Sequence, residues 1–464
     1  MVITFGGLLL GSLMLRAAAG AMGENIQFYF NAINDAATNP NHPLRVLIHA
    51  NVYPISYALG GVIIGTFFAA ELLGALVLGT LSDRYGRKPF IVFGPLFGAI
   101  AVMITAVTTA IWLLVVTRLL EGLSTATSSP ATLAYIADVT ENSPKLRARL
   151  VGFFEVVTIA GVAAGFALGG WLWRTFGAPV VVFGLPLTSP AFAVNALFYL
   201  ASLLILWWGV RESVTPEHRA QAAAAAGSAR QTLATYWRTV SSPELAGFAP
   251  AWIAVNAVLG IWINLSARIL TDARGFPGQL LVGHFNSFQA GNVRAIYAVF
   301  FVLGIAGWSL FYASMKKTTV MLIGVGGLFL TCGVLFAINH QPALNAPLVP
   351  ALSALLVVSI VIESGFTPAA LAHLADITQG HAETRGAIMG LYSVFLGLGQ
   401  FLGASLGGPF VDWRGADGMI LATALLGVIA GVLLLRLRRA EPPVAQALTP
   451  EPAPNPESGP GPVH

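Results

Sequence analysis

The sequence predicts an all-α polytopic membrane protein, with twelve transmembrane helices in two pseudo-symmetric six-helix halves. Three observations carry that expectation. The 464 residues are 56% hydrophobic and only 9% charged, with a mean hydropathy of +0.77, whereas a soluble domain averages about 25% charged residues. Apolar runs of about 20 residues recur along the whole length, each able to cross a hydrocarbon core of about 30 Å as a helix. Sliding the chain by 238 residues lays Leu133–Ala178 on Leu371–Ala416 without a gap, with 15 of 46 positions identical. The identities include Asp138 on Asp376, Arg147 on Arg385, and Gly161, Gly165, Gly169 and Gly170 on Gly399, Gly403, Gly407 and Gly408. Similarity between unrelated apolar helices supplies leucines and alanines. It does not supply an aspartate, an arginine and these glycines at one offset.

Taken in order, the spans fall near 4–30, 54–80, 90–108, 111–137, 147–173 and 188–209, then 246–267, 294–314, 319–338, 348–374, 386–411 and 418–437. The runs are continuously apolar rather than alternating, which excludes a β-barrel. The first run carries Arg16 inside it and no basic residue before it, so it reads as a retained helix rather than a cleavable leader. Its short lead also fits an initiation point downstream of the natural one. The domain expectation is a first bundle at 1–210, a polar and alanine-rich linker at 211–245, a second bundle at 246–439 and a proline-rich tail at 440–464. The tail lacks the apolar content to fold.

Orientation follows from lysine and arginine placement. With the turn after the second span inside, sixteen fall in inside loops and termini. Six fall outside: Arg45, Arg174, Arg268, Arg274, Arg294 and Arg414. Both termini are then cytoplasmic and the chain sits in the cell membrane. The net charge of +4 is explained by these loops, so no nucleic-acid partner is expected. Cys332 is the single cysteine, which excludes an intrachain disulfide and a multi-cysteine metal site. No His/Asp/Glu cluster has metal-ligand spacing, no nucleophile–base arrangement suggests an enzyme, and no phosphate-binding loop suggests ATP-driven work. No cofactor or metal is expected.

The densest charge is Gly79-Thr80-Leu81-Ser82-Asp83-Arg84-Tyr85-Gly86-Arg87-Lys88. Gly79, Asp83, Arg84, Gly86, Arg87 and Lys88 match the G-x-x-x-D-R-x-G-R-K loop of the major facilitator superfamily, which the whole region 4–437 resembles. Arg118, Gly122 and Ala126 resemble that family's R-x-x-x-G-x-x-x-A pattern in the fourth span. Gly161, Gly165, Gly169 and Gly170 are similar to the glycine pattern of its drug–proton antiporters, with Phe166 where that pattern has proline. The second half keeps only Lys316-Lys317 of the charged loop. The resemblance implies a secondary transporter that moves a small solute by alternating access. Proton-coupled efflux is the first reading, with a proton gradient as driving force and a monomer in the bilayer. Proton-coupled or facilitative uptake of a sugar, organic acid or other nutrient is the rival. A non-transporting receptor or assembly protein is the rival of another class.

Asp83, Arg87 and Asp138, with Asp376 in the second half, are expected to form a latch across the cytoplasmic ends, since arginine bridges carboxylates. Plain topology-setting charge is the alternative. Small residues four apart allow close helix packing, and the glycines of spans five and eleven serve packing, gating or both. Ionisable residues inside spans are functional candidates by default. Glu71 lies eight residues from Gly79, about 12 Å of helix, and Glu363 thirteen residues before Asp376, about 20 Å. Arg16, Glu71, Glu155 and Glu363 are expected to share the central cavity as proton-coupling or substrate groups. Desolvation there favours the neutral form of a carboxyl. Arg118 is expected toward the outer side, able to hold a carboxylate ionised. Glu24 is expected to be hydrated at the outer end of the first span. Asn256 and Asn264, eight residues apart on span seven, could line the cavity or bond between helices.

Overall fold

The computed structural model describes residues 2–48, 52–141, 143–215, 243–311, 315–379 and 385–440. The first half contains α1 (Val2–Thr38), the short α2 (Pro43–Ile48), α3 (Tyr57–Tyr85), α4 (Arg87–Thr105), α5 (Ile111–Val139), α6 (Pro144–Phe176) and α7 (Pro190–Gly209). The second contains α8 (Pro243–Leu270), α9 (Ser287–Phe311), α10 (Lys317–Asn339), α11 (Val349–Glu363), α12 (Phe366–Gln379) and α13 (Arg385–Ala440). Residues 216–242 of the expected linker and 441–464 of the expected tail lie outside the described residues.

Ten helical segments among the described residues are long and apolar enough to cross a membrane. α5, which carries the buried pair Arg118 and Glu121, is not one of them. α13 holds two spans, because its chain turns at Arg414 and at Gly415, whose φ is 59°. Glycine adopts that conformation without steric cost. Splitting α13 there and adding α5 gives the twelve expected spans. The span expected at 348–374 is broken after Glu363, at Ser364-Gly365. Pro368 lies in the first turn of α12, offers no N–H and crowds the carbonyl four residues back. Trp308 of α9 fills the break and its Nε1 donates to the Val361 carbonyl at 2.8 Å. One element was outside the all-helical expectation. A hairpin of β1 (Val180–Val182) and β2 (Leu185–Leu187) joins α6 to α7.

The repeated glycines divide into two roles. Gly161, Gly165 and Gly169 lie against α1, where a side-chain carbon at Gly165 would sit 2.6 Å from the Ala17 carbonyl oxygen. Gly399, Gly403 and Gly407 lie in the same way against Asn256, Ala257 and Ile261 of α8. These six set the packing inside each half. Gly170 instead abuts Ser287, and Gly408 abuts Tyr57 and Ala58, each in the opposite half. The seams between halves are α6 on α9 and α3 on α13.

The molecule has a turn face, bearing Asp83, and a far face at the other helix ends. α3 and α13 pack most tightly toward the far face. A carbon added at Gly408 would overlap the Tyr57 carbonyl, whereas one at Gly397 would meet nothing nearer than the Phe68 oxygen at 3.8 Å.

Candidate functional site

Arg16 of α1 organises the inner side of the first half. Its guanidinium donates to Ser129 Oγ of α5 at 2.6 Å and lies within electrostatic reach of Glu71 on α3 and Glu155 on α6. Four helices thus converge on one cation and two carboxylates. Three of the four expected cavity residues come together here. The fourth does not. Glu363 lies in the second half, buried at the α11 break, where it accepts from Thr331 Oγ1 at 3.0 Å and is hydrogen-bonded by Tyr297. It lines a small pocket with Val255, Val258, Phe301, Val325 and Phe366.

Arg118 pairs with Glu121 one turn along α5. Tyr199 of α7 donates to Glu121 at 3.2 Å and lies within reach of both Arg118 and Arg16. Arg118 therefore has its own carboxylate inside the first half, and its charge is not spare for Glu71 or Glu155. Asn256 and Asn264 donate to the carbonyls of Trp252 and Gly260 at 2.9 and 2.8 Å, one turn back on α8. Their amide N–H groups serve their own helix.

At the turn face, Gly86 has φ 102° and serves as both the end of α3 and the start of α4, a conformation that requires glycine. The turn aims Arg87 back at Asp83 and at Asp138, 3.1 Å away at the end of α5. Arg87 also donates to Ser82 Oγ at 2.8 Å. Two residues that sequence reasoning missed complete the cluster. Glu212 accepts the backbone N–H groups of Arg87 and Lys88 at 2.9 and 3.3 Å, a carboxylate at a helix N-terminus where the dipole favours it. Ser213 donates to Asp138 at 3.0 Å. Lys88 lies over the Trp207 ring, while Arg84 is exposed. A side-chain carbon at Gly79 would sit 3.7 Å from Pro130. This cluster ties α3, α4, α5 and the segment after α7, all in the first half. Asp376 pairs instead with Lys317 of its own half. Among the described residues the expected latch across the halves is thus two separate clusters, because Asp376 is neutralised by Lys317 of its own half while Arg87 is held by Asp83 and Asp138.

The ties between halves that the structure describes gather at the far face. Glu24 is fully buried and pairs with Arg294 of α9, so the expected hydration is wrong: α6 and α9 close over it. Gln27 accepts from the N–H groups of Ala267 and Arg268 and donates to the Ile263 carbonyl. Asn31 donates to the Arg268 carbonyl at 2.8 Å. Arg268 is buried, donates to the carbonyls of Ile55 and Ser56 and stacks 4.1 Å from the Tyr57 ring. Tyr57 donates to Asp272 at 2.8 Å. Asp412 accepts the N–H groups of Tyr57 and Ala58, each at 2.8 Å, at the start of α3. Arg268 and Arg294, expected in outer loops, are therefore helix residues in a buried seal. The signal for it stood in the sequence: Glu24, Gln27, Asn31 and Asn34 recur at i, i+3, i+7 and i+10, one polar stripe along an apolar helix.

The chain is 35% identical over 155 residues to the class C tetracycline resistance protein of Escherichia coli, covering 33% of this chain and 38% of that one. It is 23% identical over 355 residues to multidrug resistance protein 2 of Bacillus subtilis (strain 168), covering 76% and 80%. The first of these matches spans well under two thirds of its relative's length. Among solved structures, that of the nucleoside transporter NupG aligns with a TM-score of 0.67 at 14% identity, covering 94% of this chain and 98% of that one, a likeness of fold alone. The family model described as Major Facilitator Superfamily matches residues 4–288 and 276–461. With the twelve spans, the paired halves and the glycine-turned charge cluster, this match makes the chain a member of the Major Facilitator Superfamily, a multi-pass membrane transporter rather than an enzyme.

Proposed function

We propose that this transporter exports a small solute in exchange for protons, by alternating access across the cell membrane. One observation carries the reading: a single guanidinium, Arg16, is set within reach of two carboxylates, Glu71 and Glu155. One of the two charges is balanced and the other is in excess, so the group is completed by a proton or by a cationic part of the solute. Competition between the two for one unbalanced carboxylate is what couples their flows. Titratable groups at membrane depth are expensive unless they serve such a purpose. The likeness to tetracycline and multidrug resistance proteins supports export.

The lysine and arginine bias supports a cytoplasmic turn face and cytoplasmic termini. The bias sharpens once Arg268 and Arg294 are removed from the outer loops. In that orientation the buried ties between the halves lie on the outer side. Both halves of the moving seam belong to one chain, so a monomer suffices. No cofactor beyond the proton gradient enters this scheme.

The test is substrate-induced proton movement in proteoliposomes, with the solute class first found from the resistance and uptake profile of overexpressing cells. Glu71→Gln and Glu155→Gln are expected to abolish proton movement. Unchanged proton movement in both would remove the coupling role, and solute accumulation in cells with the proton gradient would favour uptake. If no solute from a broad panel moves, the receptor reading gains.

A further inference from the structure

The connection between α6 and α7 carries an apolar feature that transport does not use. The hairpin Val180-Val181-Val182-Phe183-Gly184-Leu185-Pro186-Leu187 contains no charged or hydrogen-bonding side chain. Its strands pair Val180 with Leu187 and Val182 with Leu185. Val181 and Leu185 are more than half exposed, and Phe183 at the tip is completely so. Phe183 and Gly184 have φ of 50° and 79°, the two positive values of a tight two-residue hairpin turn. Asparagine or glycine takes the first of those positions readily. Phenylalanine takes it only with strain. A strained, fully exposed aromatic ring at an apolar tip points to a contact surface.

Position in the fold identifies what that surface meets. α7 has 20 residues, about 30 Å of helix, which is one hydrocarbon thickness. Trp207 and Trp208 are exposed at its turn-face end, where aromatic side chains anchor a helix at the bilayer boundary. Its other end, Pro190, therefore reaches the opposite boundary. Two residues earlier Thr188 is fastened to the Ala106 carbonyl just past α4, by its N–H at 2.7 Å and its hydroxyl at 2.9 Å. The hairpin root is fixed at that level, and strands of three residues reach about 10 Å from it. The two helices that it joins also expose large apolar side chains, Trp171 on α6 and Leu197 on α7, as lipid-facing transmembrane helices do.

We propose that hairpin 180–187 lies in the lipid interface on the far face, with Phe183 at the boundary of headgroups and acyl chains. It anchors the first half in the leaflet while the second half moves against it. The test uses the full chain in phosphatidylcholine vesicles. Cys332→Ala removes the single cysteine, and Phe183→Cys is labelled with an environment-sensitive NBD fluorophore. A nitroxide carried high on the acyl chain is expected to quench the label roughly twofold more than one carried near the bilayer centre, as for interfacial segments seated about 5–10 Å deep. Iodide in the water is expected to quench it weakly. Full quenching by iodide would overturn the proposal. So would protection from both quenchers with energy transfer between labelled copies, which would mean that a second chain covers the tip. Val181→Cys, on the strand, gives a second reporter if the turn variant inserts poorly, and the same quenching order decides.

Discussion

Glu24 of α1 and Arg294 of α9 form an ion pair across the two halves in which the carboxylate is wholly buried. The Arg294 guanidinium also donates to the Ile263 carbonyl and lies 4.4 Å from the Phe166 ring. The second Glu24 oxygen is buried without a hydrogen-bond partner among the described residues. The far face can open only if this pair separates, so its strength sets part of the balance between the two conformations.

Removing one partner leaves a buried, unpaired charge, which destabilises by about 3–5 kcal/mol. Glu24→Ala and Arg294→Ala should each lower the thermal midpoint markedly. The double substitution should recover much of that loss, because no orphan charge remains. A double-mutant cycle in thermal unfolding measures the coupling; strict additivity of the two losses would show that the pair is not coupled.

The glycines offer a cleaner separation of packing from motion. Gly170→Ala and Gly408→Ala place a methyl on the seam between halves, against Ser287 and Tyr57. Gly165→Ala and Gly403→Ala place one inside a half. Overpacking costs about 1–3 kcal/mol in either place. The seam variants should shift the conformational balance toward an open far face and lower transport with little change in the melting of each half. The in-half variants should lower thermal stability and yield. Equal profiles for the two pairs would contradict this division.

At the turn face, Asp83 is about half exposed and its bridge to Arg87 is worth about 0–1 kcal/mol. Arg87→Ala should therefore leave insertion and melting nearly normal. It should still lower transport several-fold, because Arg87 also positions Asp138 and fixes the end of α5. Normal transport by Arg87→Ala and by Asp83→Asn would reduce the cluster to topology-setting charge.

Asp272 is expected to make the far face sensitive to acid. Burial pushes its carboxyl up. Hydrogen bonds and charge from Arg274, with the Tyr57 hydroxyl, outweigh burial and hold it below the usual carboxylate range. A group depressed in the folded state contributes its stability above its unfolded pKa, about 3.9 for aspartate, and loses it as pH falls through the lower folded value. Wild type should melt higher than Asp272→Asn at neutral pH, and the two should converge below about pH 4. Melting curves across that range check it; a constant gap would remove Asp272 from the pH dependence.

The sequence by itself determined the membrane class, the spans, the paired halves and the charged turn. Each rests on local periodicity or on a fixed offset, which the chain displays without folding. It also marked Arg16, Glu71 and Glu155 as costly at their depth. It could not say that these three meet while Glu363 stays in the other half, since partner choice depends on how the helices pack. Tertiary structure alone decided that Gly170 and Gly408 face across the seam while their neighbours one residue before, Gly169 and Gly407, pack inward, because one residue turns a helix face by about 100°. It also decided that Glu24, Arg268 and Arg294 are buried. Charges near helix ends look hydrated in one dimension, and only the closing of one half on the other takes the water away.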